Sequence, residues 1–334
     1  NYNLPINKFP LFDWVSSNVR YSTRYLWSAG SFQQADSLGN IIENNREYSL
    51  NTKLDISKIY DKIPILKTYN KKYNQNDTVK SIFRSKTFDG IMKAIMSLRS
   101  INLTYNVTER TGMAGVIGSP GIFGMNNYYN SPGWNFIFGS QDSGIRRDAA
   151  QNGWLVKNDF LNNPFVQSRS NNFQFRSTLQ PLTFLRIQLD AKRIVTENFQ
   201  ETFRYDSQAG KYVSLTPSRG GNFSLSFLAI RTAFIKDDLF NISPTFQNFT
   251  ENREIIRNRL NALNSQGEYG LNSQDVLIPA FISAYSNSDP NNFSLNPFPK
   301  IPIPNWRIDF SGLNKIKSLS EVFTNITISH GYQS

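Results

Sequence analysis

The chain has 334 residues, no cysteine and a formal net charge of +11, long enough for one large all-β unit or two ordinary domains. Disulfides and thiolate chemistry are therefore excluded. No stretch approaches the ~18 consecutive apolar residues of a transmembrane helix, and mean hydropathy is −0.43. The Lys and Arg residues mostly alternate with apolar ones (Arg20, Arg24, Lys53, Arg186, Lys192) instead of clustering, with doublets such as Lys71-Lys72 and Arg146-Arg147. That spacing points to solvated faces and away from a nucleic-acid surface.

The first predicted element is a long strand from Val15 to Ser28. Val15, Ser17, Val19, Tyr21, Thr23, Tyr25 and Trp27 occupy alternate positions, and the residues between them are polar except Leu26. Successive strand residues point to opposite faces, so one face is apolar with an aromatic end and the other is wet. At roughly 3.3 Å per residue the segment extends to about 46 Å. Even tilted by about 45° it crosses the roughly 25 Å apolar band of an outer membrane. The pattern is that of a transmembrane β-strand, and it predicts lipid-facing Val19, Tyr21, Tyr25 and Trp27 opposite lumen-facing Arg20 and Arg24.

A turn through Gly30 and Gly39 leads to a second alternating run, Tyr48 to Ile56. Residues 58–86 are polar, basic and interrupted by Pro64, which reads as a loop; a short helix is expected around Phe88 to Ser97. The third run sets Ile101, Leu103, Tyr105 and Val107 against Asn102, Thr104 and Asn106. Leu103 and Tyr105 are again expected toward lipid, with Asn102 and Asn106 toward a lumen. Between Gly112 and Gly144 lie eight of the chain's 19 glycines. No G-x-x-x-x-G-K motif accompanies them, so an aromatic-studded excursion is expected over residues 112–170.

Alternation resumes with Phe173, Phe175 and Leu179, then with Leu185, Ile187, Leu189 and Ala191 opposite Arg186, Gln188, Asp190 and Lys192. Leu185 and Ile187 are predicted to face lipid, and Arg186 and Gln188 the lumen. A hairpin tip at Ser207 to Gly210 and a return strand through Phe223 to Ala229 follow. Short turns on one side and long excursions on the other are expected of such a barrel. Phe246, Phe249, Ile256, Leu260 and Leu263 have helical spacing, with Thr250 or Asn252 as candidate caps, and a second helix is expected over Asp275 to Tyr285. Five prolines between Pro290 and Pro304 enforce extended chain, completing a helical and Pro-rich excursion over 241–305. Final strands are expected at Trp306 to Phe310 and Val322 to Ser329.

Chemistry-bearing groups are few. His330 is the single histidine, which excludes a multi-His metal site, and the Asp237-Asp238 pair reads as a turn or helix start, so no enzyme, metal or cofactor is expected. The chain opens without Met or a basic-then-apolar leader and stops after a predicted strand, so it reads as part of a longer polypeptide.

Longer runs carry a resemblance. Phe246-Gln-Asn-Phe249, Ile255-Ile-Arg-Asn-Arg-Leu260, the run from Tyr269 to Phe281, Ile303-Pro-Asn-Trp-Arg-Ile-Asp-Phe-Ser-Gly-Leu313 and Ile328-Ser-His-Gly-Tyr332 resemble the late part of the SprA/Sov family. Phe136-Ile-Phe-Gly-Ser-Gln141, Gly153-Trp154-Leu155 and Phe223 to Phe234 are similar as well and agree in order. The resemblance implies an all-β fold, part of a very large antiparallel transmembrane β-barrel with long loops and few helices. It also implies the outer-membrane translocon of the type IX secretion system in Bacteroidetes, which exports folded cargo and is tied to gliding motility. Partners implied are secreted cargo proteins, a PorV-like barrel protein, a periplasmic plug protein, and outer-membrane lipid with lipopolysaccharide; nucleic acid is not among them. The competing readings are a TonB-dependent or porin-type barrel for small solutes, and a soluble sandwich binding carbohydrate through Trp134, Trp154 and Trp306.

Overall fold

A computed structural model describes residues 2–30, 38–64, 66–67, 95–238, 240–264, 269–296 and 300–334. The chain is mostly antiparallel β-sheet with a few helices. Among the described residues the strands are β1 (Tyr2–Leu4), β2 (Val15–Ser28), β3 (Asn40–Asp55), β4 (Leu98–Val116), β5 (Phe165–Leu182), β6 (Leu185–Asp206), β7 (Lys211–Leu225), β8 (Asn305–Phe310) and β9 (Ile328–Tyr332). Hydrogen bonding orders them β1-β2-β3-β4-β5-β6-β8-β9, with β7 also on β6, and this described sheet is not closed.

Two compact units divide the chain, one of residues 1–181 and 193–224 and the other of residues 182–192 and 225–334. In the first unit β2, β3 and β4 pair in register along nearly their whole length. That register places Val19, Leu50 and Tyr105 side by side, and β5 adds Phe173 to the row. Because strand side chains alternate, the shared register extends one residue's chemistry into a row four strands wide.

The second unit builds on the start of β6. Leu185, Ile187 and Leu189 lie opposite Phe310, Ile308 and Trp306 of β8, while Arg186, Gln188 and Asp190 lie opposite Asp309, Arg307 and Asn305. β9 continues this, pairing Tyr332 with Trp306 and Ser329 with Asp309; the Trp306 and Tyr332 rings stack at 4.5 Å. His330 is exposed opposite Ile308.

Two helices of the same unit form a separate small core. Pro244–Leu263 and Gln274–Tyr285, the two helices expected from spacing, bury Ile256, Val276 and Ala280 together, with Phe249 and Leu260 packed around them. The first helix begins with Ser243, whose hydroxyl accepts from Phe246 N–H, and with Pro244 in its first turn. The cap is thus seven residues earlier than Thr250, which instead donates to the Phe246 carbonyl at 3.1 Å. Asn252 is buried against Ser283 at 2.9 Å.

Other boundaries differ from expectation. The last strand is Ile328–Tyr332, not Val322 to Ser329, because Ile326 N–H donates to the Asn314 side chain and turns the chain before it. The return strand runs Lys211–Leu225 and stops before Ala229. Helix α1 (Ile56–Lys62) occupies the start of the expected polar loop, pinned where Tyr60 Oη donates to the Ile95 and Leu98 carbonyls at 2.7 and 2.8 Å. The rest of that loop, 68–86, and residues 88–94 of the helix expected after it lie outside the described residues. Long connections occur at both ends of the first unit's strands, after β3 and after β4, and the two-residue turn between β5 and β6 shares the end of the first. The expected one-sided arrangement of turns is not what the strands show.

Candidate functional site

The first unit's sheet has two chemically opposite faces. On one, five successive rows across β2, β3, β4 and β5 are polar throughout. They begin with Ser16, Lys53, Asn102 and Arg176 and continue through Arg20, Ser49, Asn106 and Asn172. They finish with Arg24, Asn45, Arg110 and Ser168. Here Arg110 pairs with Glu43, which also accepts from Asn45 at 3.0 Å. Arg20, Arg24, Asn102 and Asn106 all lie on this face, together as the sequence predicts.

The opposite face changes character along the strands. Val15, Leu54 and Ile101 form one row with Ser177, followed by Leu103 and Phe175 beside the hydrogen-bonded Ser17 and Thr52, then Val19, Leu50, Tyr105 and Phe173, then Tyr21, Tyr48 and Val107 with Asn171. These side chains cover one another laterally and still leave Leu50 39%, Tyr105 42% and Tyr21 48% exposed. The next row is ionic: Arg46 pairs with Glu109 at 2.5 Å, and Arg169 lies 3.5 Å from the same carboxylate.

Beyond the ionic row, residues 117–164 fold back over this face; the excursion is shorter than the expected 112–170 because β4 runs on to Val116 and β5 begins at Phe165. They include the helices α2 (Trp134–Ile137) and α3 (Ile145–Gln151). Phe136, Ala149, Trp154 and Leu155 bury themselves against Ile42, Met113, Val116 and Phe165, and Tyr25 and Trp27 pack against that cluster. Tyr25 and Trp27 thus meet protein, whereas the alternation places them toward lipid. Their periodicity is as read, but a long connection covers their end of the strand. Val19, Leu103 and Tyr105 remain on the uncovered part, and Tyr21, half exposed, lies at its border with the excursion.

A seam of side-chain amides holds the excursion down. Asn44, fully buried, donates to the Phe136 and Ser140 carbonyls at 2.7 and 2.8 Å and accepts from Gln141 at 2.6 Å. Thr111 donates to Gln141 at 2.6 Å, and Gln167 donates to Thr111 and to the Gln141 carbonyl, both at 3.1 Å. Two glycines permit this close approach. Gly124 has φ +84°, and a Cβ there would meet the Tyr25 ring at 2.6 Å; Gly139 has φ +89° and packs on Thr23 and Arg46 Cβ. At the far end, Glu201 is buried on Arg146, whose guanidinium also covers the Phe165 ring at 4.9 Å.

The seam was not foreseen from the sequence, because Asn44 and Gln141 are 97 residues apart and each looks like an ordinary surface amide. Leu185, Ile187, Arg186 and Gln188 occupy the second unit, where they alternate as predicted. Of the three tryptophans offered as sugar platforms, Trp154 is buried, Trp306 is stacked on Tyr332, and Trp134 alone is half exposed. Among the described residues no group of His, Asp and Glu is arranged to hold a metal. No described helix is long and apolar enough to cross a membrane. No protein-family model matches the chain, and no curated protein sequence matches it. The fold and its surfaces define an antiparallel sheet protein with one hydrated and one partly bare apolar face.

Proposed function

We propose that this chain contributes wall strands to a large outer-membrane β-barrel, the protein-conducting translocon of a type IX secretion system of the SprA/Sov kind. Folded cargo passes along the polar face, and the apolar rows meet lipid. The observation that carries this reading is the sheet with five all-polar rows on one side and bare apolar rows on the other. A soluble sheet needs a second layer over its apolar face, whereas a barrel wall uses the bilayer. On β2 the largely apolar stretch from Val15 to Tyr21, and on β5 that from Phe173 to Leu179, each extend about 20 Å at roughly 3.4 Å per residue. Tilted by about 40°, such a stretch rises about 15 Å, part of the roughly 25 Å apolar band of an outer-membrane barrel. The resemblance of the later segments to the SprA/Sov family supports the same assignment. It brings a PorV-like barrel protein and a periplasmic plug protein as partners.

Deleting the gene in a gliding bacterium tests the reading. The expected outcome is loss of gliding and retention of folded cargo in the periplasm, with the wild-type protein recovered only in detergent-solubilised outer membrane. Normal export in the deletion strain, or recovery of the native protein in the aqueous fraction, overturns it.

A further inference from the structure

The excursion presents large apolar side chains outward. Ile122 is 76%, Phe123 79%, Trp134 50% and Phe138 63% exposed. Three of them form a continuous aromatic patch: Phe123 lies 6.3 Å from Trp134, and Trp134 stacks on Phe138 at 5.9 Å. Burying one such side chain is worth roughly 1.5–3 kcal/mol, so a patch of three left bare points to an occupant.

Its position identifies that occupant. Tyr21 Oη donates to the Phe138 carbonyl at 2.6 Å, and Thr23 Oγ1 to the Ile137 carbonyl at 3.2 Å. Gly139 packs on Arg46. The patch therefore borders the last apolar row, level with the ionic row of Arg46, Glu109 and Arg169, and on the side of the sheet opposite Arg20 and Asn106. Aromatic side chains at the edge of an apolar band, level with a row of charged side chains, are the chemistry of a bilayer's head-group layer.

We propose that Phe123, Trp134 and Phe138 seat the excursion in the lipid head-group layer beside the barrel wall. It is then an outboard flap that leaves the polar face unobstructed. This rests on the lipid-facing assignment of the apolar rows.

Single-cysteine labelling of the full-length protein in vesicles, with any cysteine outside these 334 residues replaced by serine, tests this. Phe138→Cys, Tyr105→Cys and Asn106→Cys each carry an environment-sensitive fluorophore, with Phe123→Cys as a second flap position. Quenching is read with nitroxides on lipid head groups, nitroxides deep in the acyl chains, and aqueous iodide. At positions 138 and 123 the head-group quencher is expected to act about twofold more strongly than the deep one. The deep quencher dominates at 105, and only iodide acts at 106. A flap position insensitive to both lipid quenchers, or quenched best from the deep position, overturns the proposal while quenching at 105 upholds the membrane reading. Insensitivity to lipid at 105 as well overturns both.

Discussion

Asn44 shows how one side chain decides the layout of a large segment. Its amide uses both N–H donors and its oxygen on groups of the excursion, in a fully buried site. Asn44→Ala leaves the Phe136 and Ser140 carbonyls without their donor, and an unsatisfied buried group costs about 1–3 kcal/mol. The expected penalty is about 2–4 kcal/mol, read as faster hydrogen exchange across 134–151 with little change in the β2 and β3 amides. Asp159 makes a pH-dependent counterpart. Ser207, through its side chain and its backbone N–H at 2.8 Å, holds the Asp159 carboxyl below the ordinary aspartate range. A pKa lowered by folding stabilises above the unfolded value and is lost as pH falls through the folded one. Titration followed by carboxyl NMR should place Asp159 below ordinary aspartates, and Asp159→Asn should abolish that acid-side loosening of the hairpin tip.

Among elements, the paired helices of the second unit depend on Ile256, which is wholly buried against Val276 and Ala280. Ile256→Ala removes this contact, and truncations of this type cost about 2–5 kcal/mol. Hydrogen exchange over 244–285 should rise by more than an order of magnitude, with the β6-β8-β9 strands unaffected. These helices were readable in the sequence because burial repeats at helical spacing, though the start of the first was read at Thr250 or Asn252 and lies at Ser243. The β2 strand was equally legible, its bounds given by strict alternation. β3 was read eight residues short because Asn44 and Asn45 are poor strand formers, kept there by a seam formed with distant residues. Val322 and Phe323 mimicked a strand start, yet Asn314 diverts the chain. What covered Tyr25 and Trp27 was hidden too, since alternation tells which residues share a face and nothing of what packs on it.

At the scale of the molecule, the polar face is the surface with most at stake. Its rows mix Arg, Lys, Glu, Asn and Ser without an apolar patch, which under the proposed function lets folded cargo pass without adhering. Replacing both Arg20 and Arg24 by Leu, beside Leu26, creates such a patch. Cargo export measured in cells should fall several-fold (about 1 kcal/mol of added adhesion suffices), while the protein's level in the outer membrane stays constant. Unchanged export would argue against cargo travelling along these rows.

The amide seam also constrains the order of assembly. Asn44, Thr111, Gln141 and Gln167 come from three strands and the connection between two of them, so no hairpin alone contains the whole set. Closing such distant pairs is entropically costly until the ladder has brought their ends together. Strands β2 to β5 must therefore zip first and the glycine-rich connection clamp down afterwards. An insertion machine feeding hairpins one at a time would handle that connection as a loose tether until the fourth strand arrives.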